Sequence, residues 1–463
     1  MKVIYAIFAV FVLTGCALTQ PTDPYEPAGM SAPVSTEHLR GAASNSLPDR
    51  PVTLEQAIKI GLVNNPGVAA RGFEADAAAA RQDQALSERM PEMRVAGGYN
   101  HYINERRVLP VGQPGEPAVL SRDIVSSDLV LSMPLFTGGR LVNQVKAADL
   151  LYQSEKQRLA RSRKELVFNV SSLFFNILAQ RHVIEALEFS RQTLTEHLRR
   201  VDALVEGKKA AHVDRMRTEV RLADVRQELV KEKNVIDIQR RTFANLLGLS
   251  GGVDEVSLQD ELARSTEAVA QDPGTALEKA WESRDDYLAE KSALEAQARY
   301  VDAARAGRWP VISLQGAYGW SGAAGQTSGK GDEFGDEGSI GLGVEIPLFE
   351  GGRVKAEIRE QRAELAAAQK RLRELELQIR LEIETALADI ESSEKRAAAL
   401  EKTIAQARES LRIEQQRYDL GKGTIVDVLD AQDALLGAET TYYEVLAELR
   451  TAMARLKLAT GEI

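Results

Sequence analysis

The chain has 463 residues, 44% of them hydrophobic and 27% charged, which excludes a disordered polymer and leaves room for two or three domains. Its net charge is −10, so it has no general electrostatic attraction for nucleic acid, and DNA or RNA is excluded as a first partner. Aromatic residues make up only 5%, while Ala, Leu, Glu, Arg and Gln fill two long stretches, the composition of extended helix rather than of a compact aromatic core.

At the N-terminus Lys2 precedes an apolar run from Val3 to Leu13 and then Thr14-Gly15-Cys16. The run is too short to span a bilayer and predicts a signal peptide over residues 1–15. Leu13-Thr14-Gly15-Cys16 resembles a bacterial lipobox, in which cleavage before the cysteine leaves it lipid-modified. Cys16 is the only cysteine, so it has no intramolecular disulfide partner. Ala17 and Leu18 follow it, without the Asp that would depart from lipoproteins sorted to the outer membrane. Residues 16–51 then read as a lipidated linker. No later stretch approaches the roughly 18 apolar residues a membrane helix needs, so any further crossing falls to strands.

Two halves of one design follow. Pro134-Leu135-Phe136-Thr137-Gly138-Gly139-Arg140 recurs as Pro347-Leu348-Phe349-Glu350-Gly351-Gly352-Arg353, Val213-Asp214 as Val426-Asp427, and Leu222 as Leu435. The first repeat is predicted over 52–251 and the second over 274–461, joined by a linker at 252–273. Each reads as short helix, two strands, long helix, short helix. The short helices are expected at about 53–88 and 212–247, then 275–307 and 426–460; the long ones at about 140–205 and 353–420. In each half the two short helices together match the long one. Stacked end to end beside it, they make a rod of about 100 Å at about 1.5 Å per residue.

Leu166, Val170, Leu173, Ile177, Ile184, Leu187, Leu194, Leu198 and Val201 keep a heptad seam in the first long helix, and Ala386, Ile390, Ala397, Leu400, Ile404, Ala407 and Leu411 keep one in the second. That seam predicts coiled-coil architecture and no more. The strands are expected at about 92–103, 123–135, 310–320 and 338–348. Ile312, Leu314, Tyr318 and Trp320 alternate with Ser313, Gln315, Ala317 and Gly319; Ile340, Leu342 and Val344 alternate with Gly341 and Gly343. One apolar face opposite a small or polar one suits a membrane barrel strand, although a soluble hairpin packed on a helix shows the same pattern. Tyr99, Tyr102, Trp309, Tyr318 and Trp320 suit an aromatic girdle. Gly138, Gly139, Gly351 and Gly352 are predicted to take positive φ and turn each strand directly into a long helix. Four strands cannot close a barrel, since membrane barrels begin at about eight, so oligomerisation is expected.

Thr53-Leu54-Glu55-Gln56-Ala57-Ile58 with Asn64-Asn65-Pro66, both Pro-Leu-Phe-x-Gly-Gly-Arg turns, Tyr418 with Gly421, and Thr424-Ile425-Val426-Asp427-Val428-Leu429-Asp430-Ala431-Gln432 resemble a TolC-family outer-membrane efflux factor of the lipoprotein branch. The resemblance covers nearly the whole mature chain. It implies a mainly α fold with a membrane β-barrel contribution, and a homotrimer with a 12-stranded barrel on a 12-helix periplasmic tunnel. The implied partners are a periplasmic adaptor, an inner-membrane pump and outer-membrane lipid.

The resemblance also implies a gate at the periplasmic tip. There Asp427 and Asp430, three apart on one helical face, would form carboxylate rings in a trimer, which would attract cations and raise the local carboxylate pKa values. The plainer reading has Asp427 favouring a helix N-terminus. Tyr418 would hydrogen-bond Asp214; the family's basic partner aligns with Gly423, leaving Lys422 as the nearest cation. No enzyme is expected: His38, His101, His182, His197 and His212 are scattered, with no metal-ligand spacing and no phosphate loop, so no cofactor and no metal are predicted. His212, at the tip, is expected to be a solvated loop residue. The competing reading is a periplasmic adaptor or a structural coiled-coil lipoprotein, neither of which needs two units with matched helix lengths.

Overall fold

The computed structural model describes residues 52–109, 119–249, 258, 262, 272–329 and 333–463. The signal peptide, Cys16 and most of both linkers lie outside these. Helices α1 (Leu54–Asn64) and α2 (Pro66–Ser87) lead into strands β1 (Glu92–Arg107) and β2 (Val119–Phe136), followed by the long α3 (Arg140–Glu206) and α4 (His212–Leu246). The order repeats as α5 (Pro273–Ser283), α6 (Asp285–Ala306), β3 (Val311–Ala323), the short β4 (Thr327–Gly329), β5 (Phe334–Glu345), α7 (Arg353–Asp419) and α8 (Ile425–Thr460). The two long helices have the same length, 67 residues each, or about 100 Å.

Where single helices were expected over 53–88 and 275–307, each is broken once. Asn65 stands before Pro66, whose ring disfavours helical φ/ψ in the preceding residue. Asn65 is extended at φ −67°, ψ 118°, and its Oδ1 accepts from the N–H groups of Gly67 and Val68 to start α2. At the equivalent break Arg284 is extended at φ −83°, ψ 115° with no proline after it. These kinks are docking joints. Gly248, at φ +70°, packs against the Asn64 backbone, and Gly461, at φ +80°, against Ser283 and Arg284. A Cβ there would sit 2.3 Å from the Asn64 carbonyl oxygen or 2.6 Å from that of Ser283.

The seam residues Leu166, Val170, Ile177, Leu187, Leu194 and Val201 are buried, as are Ala386, Ile390, Ala397, Ala407 and Leu411. The core is a string of apolar clusters along the rod, one centred on Phe174 and Phe243, another near the tip around Leu194, Leu222 and Ile425, and a third around Ile379, Ile383 and Leu449. A rod this thin has no deep interior.

The strands pair antiparallel in the order β1-β2-β3-β5, with β4 on the end of β2. Register sets Val95 opposite Leu129, Leu129 opposite Tyr318, Leu131 opposite Gly316, and Leu314 opposite both Met133 and Leu342. The alternating apolar residues of all four strands therefore share one face of the sheet. That face is uncovered: Val95 is 73% exposed, Ile340 77% and Leu342 67%. No helix is long and apolar enough to cross a membrane among the described residues.

Gly138 and Gly139 have φ +65° and +88°, and Gly351 and Gly352 have +62° and +88°. Each pair forms the left-handed corner between strand and long helix.

Candidate functional site

At the end of the rod opposite the sheet, α3 turns into α4 through Gly207–Ala211 and α7 turns into α8 through Leu420–Thr424. The second turn uses Gly421 at φ +69°, with Lys422 N donating to the Arg417 carbonyl (2.8 Å). The first puts Lys208 at φ +56°.

The motif from Thr424 to Gln432 is largely spent on architecture. Thr424 N and Oγ1 donate to Asp427 Oδ2 at 3.0 and 2.8 Å, and Asp427 N returns a bond to Thr424 Oγ1 at 3.3 Å. Asp427 thus closes a capping box that starts α8. The Thr424 backbone N–H and then its hydroxyl hold the Asp427 carboxyl below the ordinary range, with Arg417 adding in the same direction. In the single chain the hydrogen bonds to the charged form outweigh the opposing effect of burial. Ile425 and Val428 are buried, and Gln432 Nε2 reaches Ser190 O and Oγ on α3, both at 3.2 Å. Asp430 remains exposed one turn beyond Asp427. It lines an open groove with Arg217, Arg221, Asp224 and Asp433.

Asp433 continues the acidic stripe and pairs with Arg221. Burial pushes the Asp433 carboxyl up against the pull of Arg221, and the charges of Asp430 and Asp224 add to the rise. Three-residue spacing beyond Asp430 was the signal for it in the sequence.

The expected Tyr418–Asp214 hydrogen bond is absent. Asp214 Oδ2 instead accepts from Ala211 N at 3.4 Å, at the start of α4. The Tyr418 hydroxyl is buried without a hydrogen-bond partner, and so is His197 Nε2. Their rings pack with centroids 5.4 Å apart, joining α3 to α7 just above the tip. Burial pushes the Tyr418 phenol up, with Asp214 and Asp419 adding. Lys422 forms no ion pair among the described residues of the single chain.

His197, a polar break in the Leu194/Leu198/Val201 seam, had no expected role. Burial pushes its imidazole down; Arg200 adds to this and Asp419 opposes it. The fold therefore favours the neutral ring. Its contribution is present above the unfolded value of about 6.5 and is lost as pH falls below it. Tip stability, read by limited proteolysis of the α3–α4 and α7–α8 turns, is expected to fall between about pH 7 and 5, and His197→Leu to flatten that dependence; an unchanged slope in the variant refutes the assignment.

The molecule is a duplicated protomer with an open, apolar-faced sheet at one end of a helical rod and acidic turns at the other. The outer membrane efflux protein family matches residues 57–249 and 276–462, and the chain belongs to that family. It is 23% identical over 386 residues to the outer membrane efflux protein BepC of Brucella suis biovar 1, covering 82% of this chain and 80% of BepC. It is 24% identical over 471 residues to the outer membrane protein OprJ of Pseudomonas aeruginosa, covering 98% and 95%. The solved outer membrane protein VceC from Vibrio cholerae shares the fold at a TM-score of 0.74 and 20% identity, over 88% of this chain and 96% of that one.

Proposed function

We propose that the chain is one protomer of a homotrimeric outer-membrane channel in a tripartite efflux or secretion system, conducting substrates delivered by an inner-membrane pump and a periplasmic adaptor. The observation that carries this reading is the sheet: four strands with a continuous, exposed apolar face and edges at β1 and β5, standing on helices too long for a compact domain. An apolar face of that extent is costly in water, and open edges do not occur in lipid. Three copies edge to edge close the edges into 12 strands, and the bilayer covers the apolar face. Lipidation of Cys16 after removal of residues 1–15 anchors the assembly further. Heat-modifiable trimers in outer-membrane fractions, carrying acyl chains on Cys16, are the expected result; a soluble monomer overturns the reading.

At the tip, Asp430 is the residue free to face a pore, and in a trimer three copies form a carboxylate ring that attracts cations. Asp427 contributes charge to the same constriction but is committed to its capping box. The two substitutions should therefore separate. Asp430→Asn is expected to lower cation preference, read as a shifted reversal potential in planar bilayers, with little change in stability. Asp427→Ala is expected to cost about 1 kcal/mol through the lost cap. A reversal potential unchanged by Asp430→Asn removes the ring. Tyr418 belongs to the tip through its ring packing on His197, and Asp214 through the start of α4.

A further inference from the structure

Where α6 ends and α7 begins, beside the strand-to-helix corner of the second repeat, a cleft of about 550 Å³ is lined by Arg305, Arg308, Trp309, Lys355, Arg359 and Arg362, with Ile358 at its base. Arg305 is held by Asp302 at 2.9 Å. Arg308, Lys355, Arg359 and Arg362 have no ion pair among the described residues. On α7 Glu357 pairs with Arg353 and Glu364 accepts from Gln297, while Glu360, between Arg359 and Arg362 in the chain, is not among the residues that line the cleft. Four unneutralised cations around one cleft repel one another and are stabilised by an anion.

A second observation says which anion. Beside this cluster stand the most exposed apolar side chains of the corner, Leu348 at 92% and Phe349 at 89%, with Trp309 at 60%. A cationic pocket bordered by exposed apolar and indole groups matches the boundary between phosphate headgroups and acyl chains. The first repeat is not built this way: Val142, Lys146 and Asp149 occupy the places of Lys355, Arg359 and Arg362.

The hand of the chain places the cleft on the outer side. Ala324 N donates to the Asp123 carbonyl, so odd-numbered residues of β2 bond toward β3, and their side chains, among them Leu129 and Leu131, form the apolar face. With L-residues on a descending strand, β3 then lies to the left of β2 when viewed from that face. The helices follow the strands in order, so α6 lies to the right of α7. Val354 meets Gly307, and Ile358 is buried on the same edge of α7. On a right-handed helix descending from the sheet, Lys355, Arg359 and Arg362, one step later, turn toward the viewer.

We propose that this cleft binds the phosphate of an anionic phospholipid headgroup from the leaflet nearest the helices, with Trp309, Leu348 and Phe349 against its acyl chains. The site rests on the outer-membrane reading, and it locks the second repeat's corner to the bilayer at a fixed depth.

The test is native mass spectrometry of the full-length assembly in neutral detergent, titrated with phosphatidylglycerol, with phosphatidylcholine, or with inorganic phosphate alone. Phosphatidylglycerol is expected to be retained about tenfold better than phosphatidylcholine, and the triple variant Lys355→Gln/Arg359→Gln/Arg362→Gln to lose that preference. Retention undiminished in the triple variant, or full displacement of lipid by equimolar phosphate, overturns the proposal. Should the triple variant misassemble, Arg359→Gln and Arg362→Gln singly are each expected to lose severalfold, and no loss in either is equally fatal. An assembly that inserts into vesicles yet shows no lipid preference sinks this site alone, whereas one that never inserts sinks the channel reading with it.

Discussion

Arg284→Ala is expected to destabilise the second repeat by about 3–5 kcal/mol, the range for removing one partner of a buried ion pair. Arg284 is 1% exposed. Its Nε and Nη2 donate to the two carboxylate oxygens of Asp286 at 2.8 and 2.9 Å, its Nη1 lies 2.7 Å from Glu382 on α7, and the same nitrogen reaches the Ala459 carbonyl on α8 at 3.4 Å. One guanidinium thus ties α6, α7 and α8 at the kink. Burial acts to raise the Asp286 carboxyl, but the bonds from Arg284 and the charges of Arg161 and Arg284 outweigh it, leaving it lowered. Removing Arg284 leaves Asp286 with only the Tyr287 N–H and the more distant Arg161, and Glu382 with only Gln378, beside an apolar cluster. Arg284→Lys is expected to recover only part of the loss, because an ammonium cannot bond Asp286 in bidentate fashion while also reaching Glu382. Thermal dissociation of the purified assembly measures it; a midpoint unmoved by Arg284→Ala shows that the carboxylates resolvate freely. At the first repeat's kink Asn65 does the corresponding work without charge, its Nδ2 donating to the Leu246 carbonyl at 2.9 Å, so Asn65→Ala is expected to cost less, about 1–2 kcal/mol.

Gly138→Ala is expected to damage the corner far more than Gly351→Ala, although the two glycines occupy equivalent places in one motif. Both have positive φ, which costs an alanine about 1–2 kcal/mol. At Gly351 nothing lies within 4 Å of the added methyl, so that is the whole effect. At Gly138 the methyl would stand 2.5 Å from Trp309 Cβ and 2.8 Å from the Ala306 carbonyl oxygen, adding overpacking of about 1–3 kcal/mol. Yield of folded protein in the outer-membrane fraction is the readout: near normal for Gly351→Ala, strongly reduced for Gly138→Ala. Equal yields would mean that backbone strain alone governs the corner.

The motif spelled the same corner twice, and the contacts of Gly138 with Trp309 and Ala306 make the two glycines unequal. Other elements divide in the same way. The expected single helices over 53–88 and 275–307 missed both kinks: Asn65-Pro66 carried a local signal for the first through proline's effect on its neighbour, whereas Arg284, with no proline after it, carried none for the second. Thr424-x-x-Asp427 could be read as a cap from spacing. That His197 would meet Tyr418, more than two hundred residues on in the chain, could not. The Tyr418–Asp214 bond expected by resemblance failed for the same reason, since Asp214 answers first to the unpaired N–H at its own helix start.

By itself the sequence determined the duplication, the two long helices, the four alternating strands, the glycine corners and the acidic turns, because each follows from interactions spanning a few residues: side-chain period, φ preference, capping. Tertiary structure decided which charges are buried, which carboxylate caps a helix and which is left free, and that four basic side chains of the second repeat converge on one cleft. Those outcomes depend on the approach of segments far apart in the chain, where burial and partner distance set the energy of a charge and residue type alone does not.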